Sequence, residues 1–166
     1  MEKTSKQWIE HLNLKPHLEG GYFIETYQSP DNFWQSGLPE RYSAERLSAK
    51  AIYFLLPGDQ ASKFHRLKCE EIWCYHCGAP LTISIIHRDG TLQRLALGPY
   101  WEQGKQFHVV VPHDVWFGAR VDSPESYTLV SCITVPGFEF ADFELADRQT
   151  LLREYPQHKE IIEILT

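Results

Sequence analysis

The segment GDQASKFHRLKCEEIWCYHCG, residues 58–78, carries the reading on which the fold turns. Two runs rich in β-branched and aromatic residues, 63–67 and 70–76, meet at a turn around Lys68-Cys69-Glu70, with Gly58 and Gly78 closing the ends. Runs of this kind, bounded by turn residues, read as strands. Alternate side chains of a strand share a face. His65 and Leu67 therefore point one way, and beyond the turn so do Glu71, Trp73 and Tyr75. If that face looks inward, an imidazole, a carboxylate and two large rings line one hollow. Such a set can stack a planar ligand or a sugar ring and move a proton.

Outward from this segment the same period recurs. Residues 21–28, 49–56, 81–87, 91–97, 106–111 and 126–135 read as further strands, separated by Pro57-Gly58-Asp59, Gly78-Ala79-Pro80, Gly98-Pro99, Pro112-His113-Asp114 and Asp122-Ser123-Pro124. Asp89-Gly90 between two alternating runs predicts a hairpin with a type I′ turn. Only the ends are helical. Thr4 and Gln7 form a capping box for a helix over residues 4–13. Asp147 caps a helix carrying Leu151 and Leu152, and Pro156 opens another carrying Ile161, Ile162 and Leu165. Gly20-Gly21 allows a tight bend into the first strand, and the polar stretch 29–48 is the expected flexible segment. The fold class is all-β, a single domain over 1–166. So few helices cannot shield every edge, so closure into a barrel or jelly roll is expected.

Composition narrows the function. The chain has 166 residues, 43% of them hydrophobic and 13% aromatic, enough for a core and rich enough for an aromatic interface. A formal net charge of -6 lacks the basic footprint of a nucleic-acid or anionic-membrane binder. No apolar run reaches the ~20 residues of a membrane span. The polar start at Met1-Glu2-Lys3 predicts a cytoplasmic protein, in which Cys69, Cys74, Cys77 and Cys132 stay reduced. Cys74 and Cys77 point to opposite faces of a strand and have no second pair, so they read as neither zinc nor redox motif.

The stretch Gly58–Gly78 resembles the first motif of the cupin superfamily, G-x5-H-x-H-x(3,4)-E-x6-G, with one extra residue before His65. Pro112, Asp114 and Phe117 resemble a degenerate second motif. Leu14-Lys15-Pro16-His17-Leu18-Glu19-Gly20-Gly21-Tyr22-Phe23 is similar to the opening of a cupin-like family of uncharacterised proteins. Phe64-His65-Arg66-Leu67, Glu71-Ile72-Trp73, Pro136-Gly137-Phe138 and Asp142-Phe143-Glu144 resemble its further landmarks. The resemblance implies a barrel of two packed antiparallel sheets, dimeric, with a pocket at one mouth. Metal-binding cupins use three histidines and a glutamate. Here only His65 and Glu71 stand at matching positions, Leu67 and Phe117 having replaced the other two, and two ligands are too few to hold zinc or iron. No cofactor is expected; Cys74, His76 and His108 are the residues that would have to make up a metal site.

These readings converge on a metal-free, homodimeric binder of a small polar or cyclic molecule, such as a sugar derivative or nucleotide. His65, Glu71, Trp73, Tyr75 and Phe117 are the expected pocket. The alternative is an epimerase- or isomerase-like enzyme in which His65 removes a proton beside a carbonyl, Glu71 orients the imidazole and Tyr75 returns a proton. A metal-dependent dioxygenase is the third reading. Phe138, Phe140 and Phe143 read as a cover for the barrel or a dimer contact, and Arg66 as an outward-facing side chain.

Overall fold

A computed structural model describes residues 3–166. In chain order the elements are α1 (Ser5–Leu12), β1 (Lys15–Pro16), β2 (Tyr22–Gln28), β3 (Asn32–Phe33), β4 (Arg46–Leu47), β5 (Lys50–Pro57), β6 (Ala61–Leu67), β7 (Glu70–Gly78), β8 (Leu81–Ile86), β9 (Leu92–Leu97), β10 (His108–Val111), β11 (Trp116–Val121), β12 (Tyr127–Val135), β13 (Phe143–Leu145), α2 (Arg148–Glu154) and α3 (Lys159–Ile164). A six-stranded sheet runs β1-β2-β5-β12-β7-β10 and a five-stranded sheet runs β13-β6-β11-β8-β9, with every pairing within them antiparallel. The main core lies between the sheets, around Phe54, Trp73, Ile83, Ile85, Phe117 and Val130.

Of the two expected forms, the jelly roll of two packed antiparallel sheets is the one present, and its sheets do not close into a barrel. The two sheets remain separate and pack face to face as a jelly-roll sandwich. The edge problem is met in other ways. Two of the four edge strands are very short, β1 with two residues and β13 with three. At the opposite corner β9 and the approach to β10 touch through a bridge between Leu97 and Gln106. Helices cover both outer faces. α1 lays Trp8, Ile9 and Leu12 against Leu55, Tyr127 and Leu129 of the larger sheet. The C-terminal helices set Leu151, Ile162 and Leu165 against Phe64, Ile86 and Trp116 of the smaller one. No helix among the described residues is long and apolar enough to cross a membrane.

Local chemistry explains these elements. The Thr4–Gln7 capping box forms, with Gln7 N donating to Thr4 Oγ1 at 3.3 Å and Thr4 N to Gln7 Oε1 at 2.9 Å. Asp147 caps α2 through the Thr150 N–H. The hairpin between β8 and β9 is present, but its turn is not type I′: only Gly90 has positive φ, and Gly90 N bonds His87 O. That is a type I turn closed by a left-handed glycine, which asks nothing unusual of Asp89. Residues 29–48 contain the small β3–β4 pair and are tied down by side chains. Arg41 Nε and Tyr42 Oη donate to Lys68 O, and Arg46 forms a two-pronged bond with Asp142 at 2.6 and 2.7 Å.

Five strands escaped the periodicity: the short β1, β3, β4 and β13, and one long strand, β11. β11 is the centre of the smaller sheet, paired with both β6 and β8. All its residues except Arg120 are buried, because the other sheet covers one face and the C-terminal helices the other. A strand buried on both sides shows no alternation of polar and apolar residues. Gly118 lets it lie close to β6: a Cβ there would sit 2.8 Å from Ser62 O.

Candidate functional site

The inner face of the larger sheet carries a cavity of about 140 Å³. Alternation supplies its floor: Phe23 and Glu25 from β2, Lys50, Ile52 and Phe54 from β5, Glu71 and Trp73 from β7, Cys132 and Thr134 from β12. The segment after β12 brings Phe138, Glu139 and Phe140 over it, and the segment before β2 brings His17 and Glu19 to one side. Phe54 and Trp73 are fully buried, whereas Glu25, Glu139 and Phe140 are exposed and mark the mouth, where Lys50 Nζ pairs with Glu139 Oε1 at 2.9 Å.

Glu19 owes its position to the glycines that follow it. Gly20 has φ +111° and passes so close to β6 that a Cβ would stand 2.2 Å from Ala61 O. Only glycine allows that approach. It lets Glu19 O accept from Lys63 N at 2.8 Å and Glu19 Oε1 accept from Ser62 Oγ at 2.7 Å. Glu19 Oε2 then lies 3.1 Å from His65 Nε2.

Hydrogen bonding fixes the proton count of this pair. His65 Nδ1 is 2.7 Å from Lys63 O, a group that can only accept, so Nδ1 carries a hydrogen. Nε2 and Glu19 Oε2 face each other and hold one further proton between them. Burial holds the His65 imidazole below its usual range, against the pull of the Glu71 carboxylate and the Lys63 carbonyl. Burial likewise raises the Glu19 carboxyl, opposed by His17 and Ser62. Both shifts favour a neutral acid beside a neutral ring. Glu71 Oε2 accepts the Trp73 indole N–H at 2.7 Å. Burial, reinforced by Glu19, pushes the Glu71 carboxyl up to about 7, with His65, Trp73 and Cys132 pulling back. The result is a carboxyl group poised to give or take a proton near neutrality, in a cavity walled by rings.

The structure separates the five expected pocket residues. Glu71 and Trp73 line the cavity. His65 does not: it is 2% exposed, sits behind Glu19, and packs against Phe117 at 4.1 Å and Phe143 at 5.4 Å between ring centroids. Phe117 is spent on that packing. Tyr75 shares the inward face but lies two residues farther along β7 and donates to Gly78 O at 2.6 Å, outside the cavity. The expected pairing of His65 with Glu71 is replaced by one with Glu19, because a loop distant in sequence reaches the imidazole first. Sequence reasoning missed His17, Glu19, Phe54 and Cys132. Phe138 and Phe140, expected as a cover or an interface, line the cavity from above. The signals were there, in the Gly20-Gly21 pair behind two ionisable residues and in the alternation of β5 and β12.

A metal of the cupin kind does not fit these donors. Both ring nitrogens of His65 are engaged and Glu71 is held by Trp73. Leu67 presents a hydrocarbon side chain to the cavity. Among the described residues no group of three or more His, Cys, Asp or Glu side chains could hold a metal ion.

Comparison with known proteins places this geometry among relatives. The family model described as "Cupin superfamily (DUF985)" matches residues 6–146. The uncharacterized protein YML079W of Saccharomyces cerevisiae is 29% identical over 146 residues, 82% of this chain and 72% of the relative. The crystal structure of protein SO0799 from Shewanella oneidensis superposes with a TM-score of 0.90 at 35% identity, covering 99% of this chain and 98% of that one. A hypothetical protein from Leishmania major gives 0.90 at 33% identity, covering 99% of both chains. Oxalate decarboxylase from Bacillus subtilis shares the fold at 12% identity and a TM-score of 0.54, over 91% of this chain and 36% of that one.

Proposed function

The chain belongs to the DUF985 family of the cupin superfamily, and from that premise we propose that it binds a small polar or cyclic organic molecule, without a metal, in the cavity on the inner face of its larger sheet. The observation that carries this reading is the convergence of two buried acids, Glu19 and Glu71, in a cavity walled by Phe23, Phe54, Trp73, Phe138 and Phe140. Apolar walls with a few placed polar groups are the usual make-up of a small-molecule site. At about 140 Å³ the space compares with cavities of ~150 Å³ that hold a benzene-sized molecule. A thermal-shift screen of sugar derivatives, nucleotides and small cyclic compounds tests it. A hit that Trp73→Leu abolishes supports the site; a hit indifferent to Trp73 and Phe138 places binding elsewhere.

A second reading, proton transfer of the isomerase kind, is favoured by the Glu71 carboxyl near 7. In it Glu71 removes the proton beside a carbonyl, Glu19 returns one from its shared pair with His65, and His65 acts only through Glu19. Deuterium wash-in from solvent into a bound keto compound is the readout, and Glu71→Gln should abolish it. Wash-in that survives Glu71→Gln and vanishes in Tyr75→Phe would reverse these roles. We also propose a homodimer, supported by Trp101 and Phe107, 69% and 59% exposed on the segment between β9 and β10. A monomeric mass by light scattering would overturn it.

A further inference from the structure

The charges around the cavity point to a class of ligand, an inference that rests on the pocket reading above. Among the residues lining it Lys50 is the one cationic side chain, and its ammonium already pairs with Glu139. His17 Nδ1 lies 3.4 Å from both the Glu19 backbone nitrogen and Glu19 Oε2, and burial lowers the imidazole against the pull of that carboxyl, so His17 is answered by Glu19 and not by Glu71. Glu19 and His65 share one proton and cancel. Glu71 is therefore left as the inner acid with no unmatched cation to answer it. The groups facing it are Glu19 and His17 from the segment before β2, His65 from β6, Cys69 from the turn before β7, and Cys132 from β12. Cys69 and Cys132 are held as neutral thiols by burial.

The walls are aromatic, with Phe54 and Trp73 meeting at 5.6 Å between ring centroids and 70° between planes. The face of an aromatic ring is the negative part of its quadrupole, and it attracts a cation within about 6 Å. A carboxylate among rings selects positive charge and rejects negative charge. We propose that the cavity takes a small organic cation, a protonated amine on a compact apolar body, with the ammonium against Glu71 and the body against Trp73, Phe54 and Phe138. A phosphate-bearing ligand would meet Glu71 with no free positive charge to answer it, which narrows the expected ligands to those without phosphate.

A bound cation stabilises the ionised form of Glu71. Below the Glu71 titration binding must expel a proton, and above it that proton is already gone. Amine affinity therefore strengthens as pH rises through about 7 while the amine itself stays protonated.

The test uses the full chain and three probes of one shape: cyclohexylamine, cyclohexanol and cyclohexanecarboxylate. The amine should raise Tm by about 2–4 °C at saturation, the alcohol by less and the carboxylate not at all. The amine shift should be larger at about pH 8 than at about pH 6. In Glu71→Gln the advantage of amine over alcohol should vanish while the alcohol still binds. If that variant fails to fold, the pH dependence in the wild-type chain decides the same point. Equal shifts from amine and alcohol, or a larger one from the carboxylate, overturn the cation preference and leave the pocket standing. Silence from all three probes overturns both.

Discussion

Glu71 shows how one residue's setting decides its chemistry. Two residues from a tryptophan whose indole it holds, it faces a second buried acid, and its carboxyl rises from 4.5 to about 7. A carboxyl whose folded-state pKa is raised binds its proton more tightly in the folded chain than in the unfolded one. Its contribution therefore favours folding at low pH and is lost as pH climbs from about 4.5 through about 7. His65, held below its usual range, acts in the opposite sense, so the variant comparison isolates Glu71. Between about pH 4.5 and about pH 8, the urea unfolding free energy of Glu71→Gln should gain about 3 kcal/mol on the wild type. A constant difference across that range would mean that Glu71 titrates as an ordinary glutamate. The imidazole expected to act as base illustrates the reverse case. Its place in the motif was legible from residues 58–78, but its partner was not, since Glu19 lies 46 residues earlier and only the folded loop brings it to 3.1 Å.

Between elements, the Arg46–Asp142 pair does the anchoring. Asp142 is 4% exposed and Arg46 5%, and the pair joins the segment before β5 to the segment that roofs the cavity. Removing one partner of a buried ion pair leaves the other charge uncompensated, a loss of about 3–5 kcal/mol. Asp142→Ala should therefore lower the urea midpoint and speed tryptic cleavage at Arg41 and Arg46. Cleavage no faster than in the wild type would show that the segment is held by something else. The elements themselves were read unevenly from sequence. β2, β5, β6, β7, β8, β9, β10 and β12 follow from half-buried alternation or from apolar runs between turn residues. β11 does not, because burial on both faces erases the period, and Gly118 and Ala119 lower its strand character further. The capped helices at both ends were legible, since a cap is a local contract among four residues.

Across the whole molecule three cores stabilise different things. The inter-sheet core builds the cavity wall, while the cores under α1 and under α2–α3 only close the outer faces. Stability and binding should therefore separate. Ile162→Ala, fully buried beneath the smaller sheet, should cost about 2–5 kcal/mol and leave affinity at the cavity unchanged. Calorimetry gives the first quantity and titration of a confirmed ligand the second; a parallel loss of both would mean that the outer core controls the site.

Residues 58–78 and their echoes along the chain determined an all-β chain capped by helices, its inward set of Glu71 and Trp73, and the loss of two cupin metal ligands at Leu67 and Phe117. These are properties of neighbours in sequence, governed by strand period, turn chemistry and side-chain type. Tertiary structure alone decided that the sheets stay open as a sandwich, that His65 is sealed behind Glu19, and that Phe138 and Phe140 roof a cavity which Tyr75 does not reach. The reason is reach: each of these depends on how loops far apart in the chain meet, and no local pattern encodes which of two buried acids arrives beside an imidazole.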